Sequence, residues 1–110
     1  MKYENYGVNY ELTFKKGAYK NNNSLAIQIM CQEDGEEFQE PFAMLTVNLN
    51  SGELPSNCAF VDSNNCPTGI IMNLIADGVA TMTTVSAQSG FCTYPLVKFS
   101  DEWLASLEKM

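Results

Sequence analysis

This sequence predicts an α+β fold: one domain, residues 1–110, built mainly of antiparallel β-sheet with two short helices. Three observations carry that reading. Apolar and polar residues alternate through 8–16 and again through 25–31, the period of two that marks half-buried strands. The segment 70–75 breaks this alternation with a helical stripe set between a proline and a glycine. A chain of 110 residues has material for one core and not for two.

The elements follow in order. Val8, Tyr10, Leu12 and Phe14 share one face of a first strand, with Asn9, Glu11, Thr13 and Lys15 on the other. Gly17 to Ser24, with Asn21-Asn22-Asn23, reads as a turn, because asparagine tolerates left-handed backbone and bonds its own main chain. Leu25, Ile27, Ile29 and Cys31 form the inner face of a second strand, with Gln28 and Gln32 outward. Glu33 to Pro41 is a solvated hairpin end. Phe42 to Leu49 is apolar on both faces, which predicts a central strand covered on both sides. Asn50-Ser51-Gly52 is a turn, and Cys58 to Asp62 a short fourth strand.

The interior helix comes next. Asp62-Ser63-Asn64-Asn65-Cys66-Pro67 offers capping side chains and a proline suited to the first helical turn. Ile70, Ile71, Leu74 and Ile75 supply the stripe, and Gly78 the stop. Val79 to Val85, rich in threonine and β-branched residues, suits a strand. Phe91 to Phe99 suits a last one, with Pro95 marking an edge or a bulge. Ser100 caps a short final helix with Asp101 and Glu102 at its positive end, Lys109 at its negative end, and Trp103, Leu104 and Leu107 as anchors.

Charge bounds the function. The chain has no histidine and no arginine, and its net charge is −7. Histidine is the side chain that titrates near neutrality, and arginine is the usual clamp for phosphate, so much enzyme chemistry lacks its ordinary tools here. Between Lys20 and Lys98 there is no cation, yet eight carboxylates lie there: Glu33, Asp34, Glu36, Glu37, Glu40, Glu53, Asp62 and Asp77. Such a balance repels nucleic acid and anionic membranes, so neither is an expected partner. No leader-like apolar run follows Met1 and no segment is long enough to span a bilayer, which makes the cytoplasm of a bacterial host the expected location.

No motif assigns chemistry. Cys31, Cys58, Cys66 and Cys92 are expected to be reduced and buried, since they form no C-x-x-C pair and have no histidine to complete a mixed zinc site. A disulfide between Cys58 and Cys66 would need the chain to double back. Cys66, near a predicted helix start, is the best candidate nucleophile, because that position lowers a thiol pKa. The run from Asp62 begins like a calcium loop, but Pro67 and Asn73 stand where an EF-hand requires glycine and glutamate. The expectation is therefore no cofactor, no metal and no enzyme activity. Carboxylates without interspersed lysines can instead imitate the phosphate array of DNA, the alternative being charge that serves solubility alone.

Four blocks carry a resemblance. Ser24-Leu-Ala-Ile-Gln-Ile29, Glu40-Pro-Phe-Ala-Met-Leu-Thr-Val-Asn-Leu49, Cys58-Ala-Phe-Val-Asp-Ser-Asn-Asn-Cys-Pro67 and Ser89-Gly-Phe-Cys-Thr-Tyr-Pro95 resemble an uncharacterised family of small acidic proteins, of domain-of-unknown-function status, from gut Firmicutes and their mobile genetic elements. The resemblance runs from about Tyr6 to Phe99 and brings no catalytic residues. It implies a context in which plasmids, conjugative elements and phages carry acidic proteins that disarm host defences. The resulting expectation is a non-enzymatic inhibitor of a host nucleic-acid-handling enzyme, of anti-CRISPR or anti-restriction type. Its partner would be a protein with a basic nucleic-acid-binding surface, such as a CRISPR or restriction nuclease. The contact residues would be Glu33, Asp34, Glu36, Glu37 and Glu40, with Asp62 and Asp77. The other expectation is an accessory or structural protein of a conjugative element, acting through an exposed sheet edge or dimer contact.

Overall fold

Two sheets, antiparallel except where the last short strand joins, share one apolar core, and the chain passes from the first to the second and returns to the first at its end. The structure, a computed structural model, describes residues 1–49 and 52–110. The turn expected at Asn50-Ser51-Gly52 therefore lies, in its first two residues, outside the described residues.

The first sheet contains β1 (Lys2–Asn5), β2 (Val8–Ala18), β3 (Leu25–Glu33) and β4 (Glu40–Met44), in that order. Its last strand, β9 (Glu108–Lys109), lies parallel to the far half of β2, with Lys15 opposite Glu108 and Lys16 opposite Lys109. The period-two pattern of β2 places Leu12 and Phe14 inward, and both are buried. In β3, Ile27 and Ile29 are fully buried on the inner face, and Ala26 and Met30 are buried on the outer one. The β4 strand carries one extra residue where its register against β3 shifts between Ile29 and Met30. That residue is Phe42, whose ring meets Tyr3 edge-on at 5.9 Å and Tyr10 at 6.3 Å.

The stretch expected as a central strand covered on both sides is instead broken across two sheet edges, since its first piece ends the first sheet and its second ends the other, and of residues 42–49 only Leu45 and Thr46 are buried. It runs as β4 and then as β5 (Thr46–Val47), the first paired with β3 and the second with β6 (Cys58–Val61). Leu45 sits at the break: its N–H donates to Ile27 O and its carbonyl accepts from Asp62 N–H, both at 2.9 Å. Thr46 then turns its hydroxyl inward. Thr46 Oγ1 accepts from the Ile27 N–H at 3.1 Å and shares a hydrogen bond of 2.9 Å with the Tyr19 hydroxyl. A side chain thus occupies a rung that the departing backbone leaves vacant, as a buried amide requires.

The second sheet runs β5, β6, β8 (Cys92–Phe99), β7 (Ala80–Ser89). Ala59, Val61, Val97 and Phe99 face the shared core, where Ile70, Ile71 and Leu74 of α1 (Thr68–Ala76) pack. Burying those three helix side chains stabilises the fold by roughly 5–9 kcal/mol before entropy. Cys58, Phe60 and Leu96 form a smaller cluster on the opposite face. Pro95 lies at a bulge, as expected: β7 places Thr83, Thr84 and Val85 against one residue of β8, and Thr83 Oγ1 donates to Leu96 O at 2.7 Å.

The helix ends correct two expectations. Pro67 is the N-cap rather than the first helical residue, and no side chain caps α1. Asp62 instead accepts from Asn65 N–H and Cys66 N–H donates to Asp62 O, so those polar residues close the turn before the helix. At the other end Gly78 (φ +77°) behaves as read. Its N–H donates to Ile75 O and that of Val79 to Leu74 O, the paired bonds of a left-handed C-terminal cap. Helix α2 (Asp101–Ser106) has Ser100 as its cap, donated to by Trp103 N–H, and the Trp103 ring stacks on Phe99 at 5.7 Å. Lys109 is not at its negative end. Leu107 turns extended (ψ 143°), and the chain joins β2 as β9.

Candidate functional site

The acidic loop between β3 and β4 is held to the sheet by three hydrogen bonds, of 3.3, 2.8 and 3.1 Å. Asp34 N–H donates to Asn9 O, Gln32 Nε2 donates to Glu36 O at 2.8 Å, and Gln39 Nε2 donates to Thr13 Oγ1 at 3.1 Å. Gly35, at φ +88°, takes the left-handed position that other residues adopt only with strain. Held this way, Glu33, Asp34, Glu36, Glu37 and Glu40 are all exposed. Among the described residues the one ion pair within 4 Å joins the Met1 ammonium to Glu11 at 3.1 Å, so no lysine neutralises the loop by direct contact.

Strand register then separates the charges. The loop adjoins the Asn9–Tyr10 end of β2, with Tyr10 opposite Glu33. Lys15 and Lys16 lie five and six residues from Tyr10 along β2, about 16–20 Å from the Glu33 end of the loop at strand rise, whereas at the other end Gln39 bonds Thr13 and lines one hollow with Lys15. Lys109 pairs beside Lys16, and Lys20 follows in the next turn. Four of the six lysines therefore gather toward the end of the first sheet away from Glu33. Of the other two, Lys98 lies on β8 in the second sheet, and Lys2 lines a hollow of about 480 Å³ together with Tyr3, Asn9, Tyr10, Glu11 and Asp34.

Within the loop a smaller cavity of about 100 Å³ is lined by Tyr10, Cys31, Glu33, Glu36, Phe38 and Glu40. Phe38 is 76% exposed, so an aromatic face stands among the carboxylates. No sequence signal singles it out, since isolated exposed apolar side chains are ordinary on protein surfaces. The Cys31 thiol beneath is pushed up by burial first and then by Glu40 and Glu33.

The two outlying acids do not join this group. Asp62 N–H bonds Leu45 O, five strand residues from Glu40, about 16 Å along the strand. Its carboxylate is engaged by the Asn65 side-chain amide at 3.0 and 3.3 Å. Asp77 caps the opposite end of α1, next to β7 in the second sheet. The structure thus brings five of the seven candidate residues together and leaves two apart.

The thiols point away from nucleophilic chemistry. Cys66 is 3% exposed within the main core, and burial, then Asp62, pushes its pKa up to about 11. The depression expected from a helix start is not found, because Cys66 packs inward ahead of the cap. Cys58 is raised by burial, which outweighs the opposing effect of Lys98. Cys58 and Cys66 belong to opposite faces of the second sheet, and all four cysteines are free. Among the described residues no three His, Cys, Asp or Glu side chains group as metal ligands, and no helix is long and apolar enough to cross a membrane.

The model of a family described as a domain of unknown function, DUF4313, matches residues 13–109. This chain belongs to the DUF4313 family. No curated protein and no solved structure matches it. The DUF4313 match takes in the acidic loop, the break at Leu45, both helices and β9, and it omits β1 and the first half of β2.

Proposed function

We propose that this DUF4313 chain is a non-enzymatic interaction protein of a mobile element or phage, whose 33–40 loop occupies the cationic nucleic-acid groove of a host defence enzyme of CRISPR or restriction type. The observation that carries this reading is the loop itself. Five exposed carboxylates on a pinned backbone lack direct lysine partners among the described residues, and four lysines gather away from the Glu33 end of the loop. Concentrated negative charge of this kind steers a small protein into a positive groove and raises its association rate. Pinning also lowers the ordering cost on binding, because the backbone is already held. Phe38 would add apolar contact at the centre of the charged ring.

The test is inhibition of DNA cleavage by purified CRISPR and restriction nucleases across a salt series. Inhibition should weaken steadily between about 0.05 and 0.5 M salt, as exposed charges are screened. The variant Glu33→Ala/Asp34→Ala/Glu36→Ala/Glu37→Ala should keep its fold within about 0.5 kcal/mol and lose inhibition. Affinity that ignores salt, or a quadruple variant that inhibits as well as the parent, would overturn the reading. A second reading, an accessory protein acting by protein–protein contact, is favoured by one observation: the unpaired edge of β7. On that reading, nuclease activity is untouched at any concentration.

A further inference from the structure

Two different segments guard the side of β2 that faces away from β3. Along its first half β1 pairs with Val8–Glu11, Met1 O accepts from Leu12 N–H at 2.7 Å, and the Met1 ammonium donates to Leu12 O at 3.0 Å. Further along, the guard is β9, two residues long and, among the described residues, the one strand paired in parallel. Leu12 N–H and Lys16 O both turn to this side, so the even-numbered residues of β2 carry their main-chain groups here and the odd-numbered ones toward β3. Met110 N–H donates to Lys16 O at 2.8 Å, and the parallel ladder then gives the Lys16 N–H to Glu108 O.

Little besides those rungs holds β9. Glu108, Lys109 and Met110 are all exposed, so this strand brings no side chain to the core. Lys109 stands beside Lys16, a like-charge pair that opposes the contact, and Lys15 beside Glu108 makes no ion pair within 4 Å. Where the chain leaves α2, a hollow of about 330 Å³ is lined by Ser106 and Leu107 on one side and by Phe14 and Lys15 on the other. The helix itself is fixed separately: Leu104 is buried, and the Trp103 ring stacks on Phe99 and meets Phe14 at 5.4 Å. The one close fit of β9 is at Gly17, where a Cβ would come within 2.9 Å of Met110 Sδ, so a glycine interrupts the strand where Met110 crosses it.

We propose that β9 is a strap that opens on its own, hinged at Leu107, while α2 stays docked. Segments with few buried contacts open locally at a lower free energy than the whole domain, and β9 meets that condition where its flanking helix does not. Opening frees the Lys16 main-chain groups and joins the hollow to solvent; closing seals both. Free N–H and C=O groups on a sheet edge invite pairing, so the strap decides whether the Phe14–Lys16 edge is masked or presented. The like charges of Lys16 and Lys109 bias it toward opening, and the fit of Met110 over Gly17 toward closing. This inference stands independently of the acidic-loop reading, and its test needs no partner protein.

Hydrogen exchange on the full chain, followed by NMR, reads the opening residue by residue. The Lys16 and Met110 amides should exchange through one shared opening, about 100-fold or more faster than the Lys15 and Gly17 amides on the β3 side and the Leu104 amide in α2. Gly17→Ala crowds Met110 and should speed Lys16 exchange by about tenfold, with a urea midpoint no lower than the parent's, because alanine loses less chain entropy than glycine on folding. Lys109→Glu sets opposite charges side by side and should slow Lys16 exchange about two- to fivefold, an effect that about 0.5 M salt removes. Lys16 exchanging as slowly as Lys15 and Gly17, Leu104 exchanging together with Lys16, or a Lys16 rate that neither variant moves would each overturn the proposal.

Discussion

Thr46→Val isolates the contact that lets one strand serve two sheets. Valine matches threonine in shape, so the change removes an acceptor and little else. The Ile27 N–H, in a residue with no exposed surface, then loses its 3.1 Å partner. An orphaned buried amide costs about 1–3 kcal/mol. The Tyr19 hydroxyl loses its 2.9 Å partner too, but it is half-buried and keeps Thr46 O at 3.3 Å, so its share is small. The added methyl returns roughly 0.8 kcal/mol. The net expectation is a loss of about 1–2 kcal/mol, read as a lower midpoint in urea at unchanged slope. Thr46→Ser is the control, since it keeps the oxygen and loses only the methyl. Hydrogen exchange localises the effect: the Ile27 amide should lose protection in the valine variant and keep it in the serine variant. Should Thr46→Val prove as stable as the parent, or leave the Ile27 amide protected, the hydroxyl does not complete the ladder and the handover rests on packing alone.

Two further outcomes follow from the same structure. Gly78→Ala forces a side chain into φ +77° and should cost about 1–2 kcal/mol in thermal or urea unfolding, although nothing lies within 4 Å of the added carbon; a neutral substitution would show that the C-terminal cap of α1 adjusts freely. Cys66, whose folded pKa is raised to about 11, binds its proton more tightly folded than unfolded, so between about pH 9 and 11 the unfolded chain releases protons first and stability must fall as pH rises, by at most about 1.4 kcal/mol per unit, with Cys66→Ala removing that part of the slope.

Local pattern revealed the strands whose two faces differ, and it failed where the face was decided elsewhere. The alternation through 8–16 and 25–31 led directly to β2 and β3, because one side of each meets the core. β1 and β9 were not legible. Strands of four and two residues have no period, and β9 forms only because Leu107 turns extended after α2 and carries the chain along β2. The same event undid the placing of Lys109 at a helix end. Asp62 to Asn65 look like caps in sequence because an Asx turn and a helix start use the same side chains. Only the backbone following Cys66 decides between them. Of the candidate site, the loop was visible as a run of acids, whereas its distance from the lysines was not. That separation depends on β2 pairing Tyr10 with Glu33 at one end and Lys16 with Lys109 at the other.

The two surfaces bear on each other through position. The acidic loop belongs to the first sheet and the β7 edge to the second. Like charges crowded on the 33–40 loop repel one another at a cost that is modest in water and grows as water is excluded, unless cations replace it. A neutral partner pressed onto that loop would therefore bind poorly, and the surface selects for positive charge by exclusion as much as by attraction. The β7 edge selects in the opposite sense, because charge placed along it would meet unpaired backbone dipoles and the exposed Val85 and Phe91 side chains. The neutral β7 edge and the charged 33–40 loop thus call for different partners.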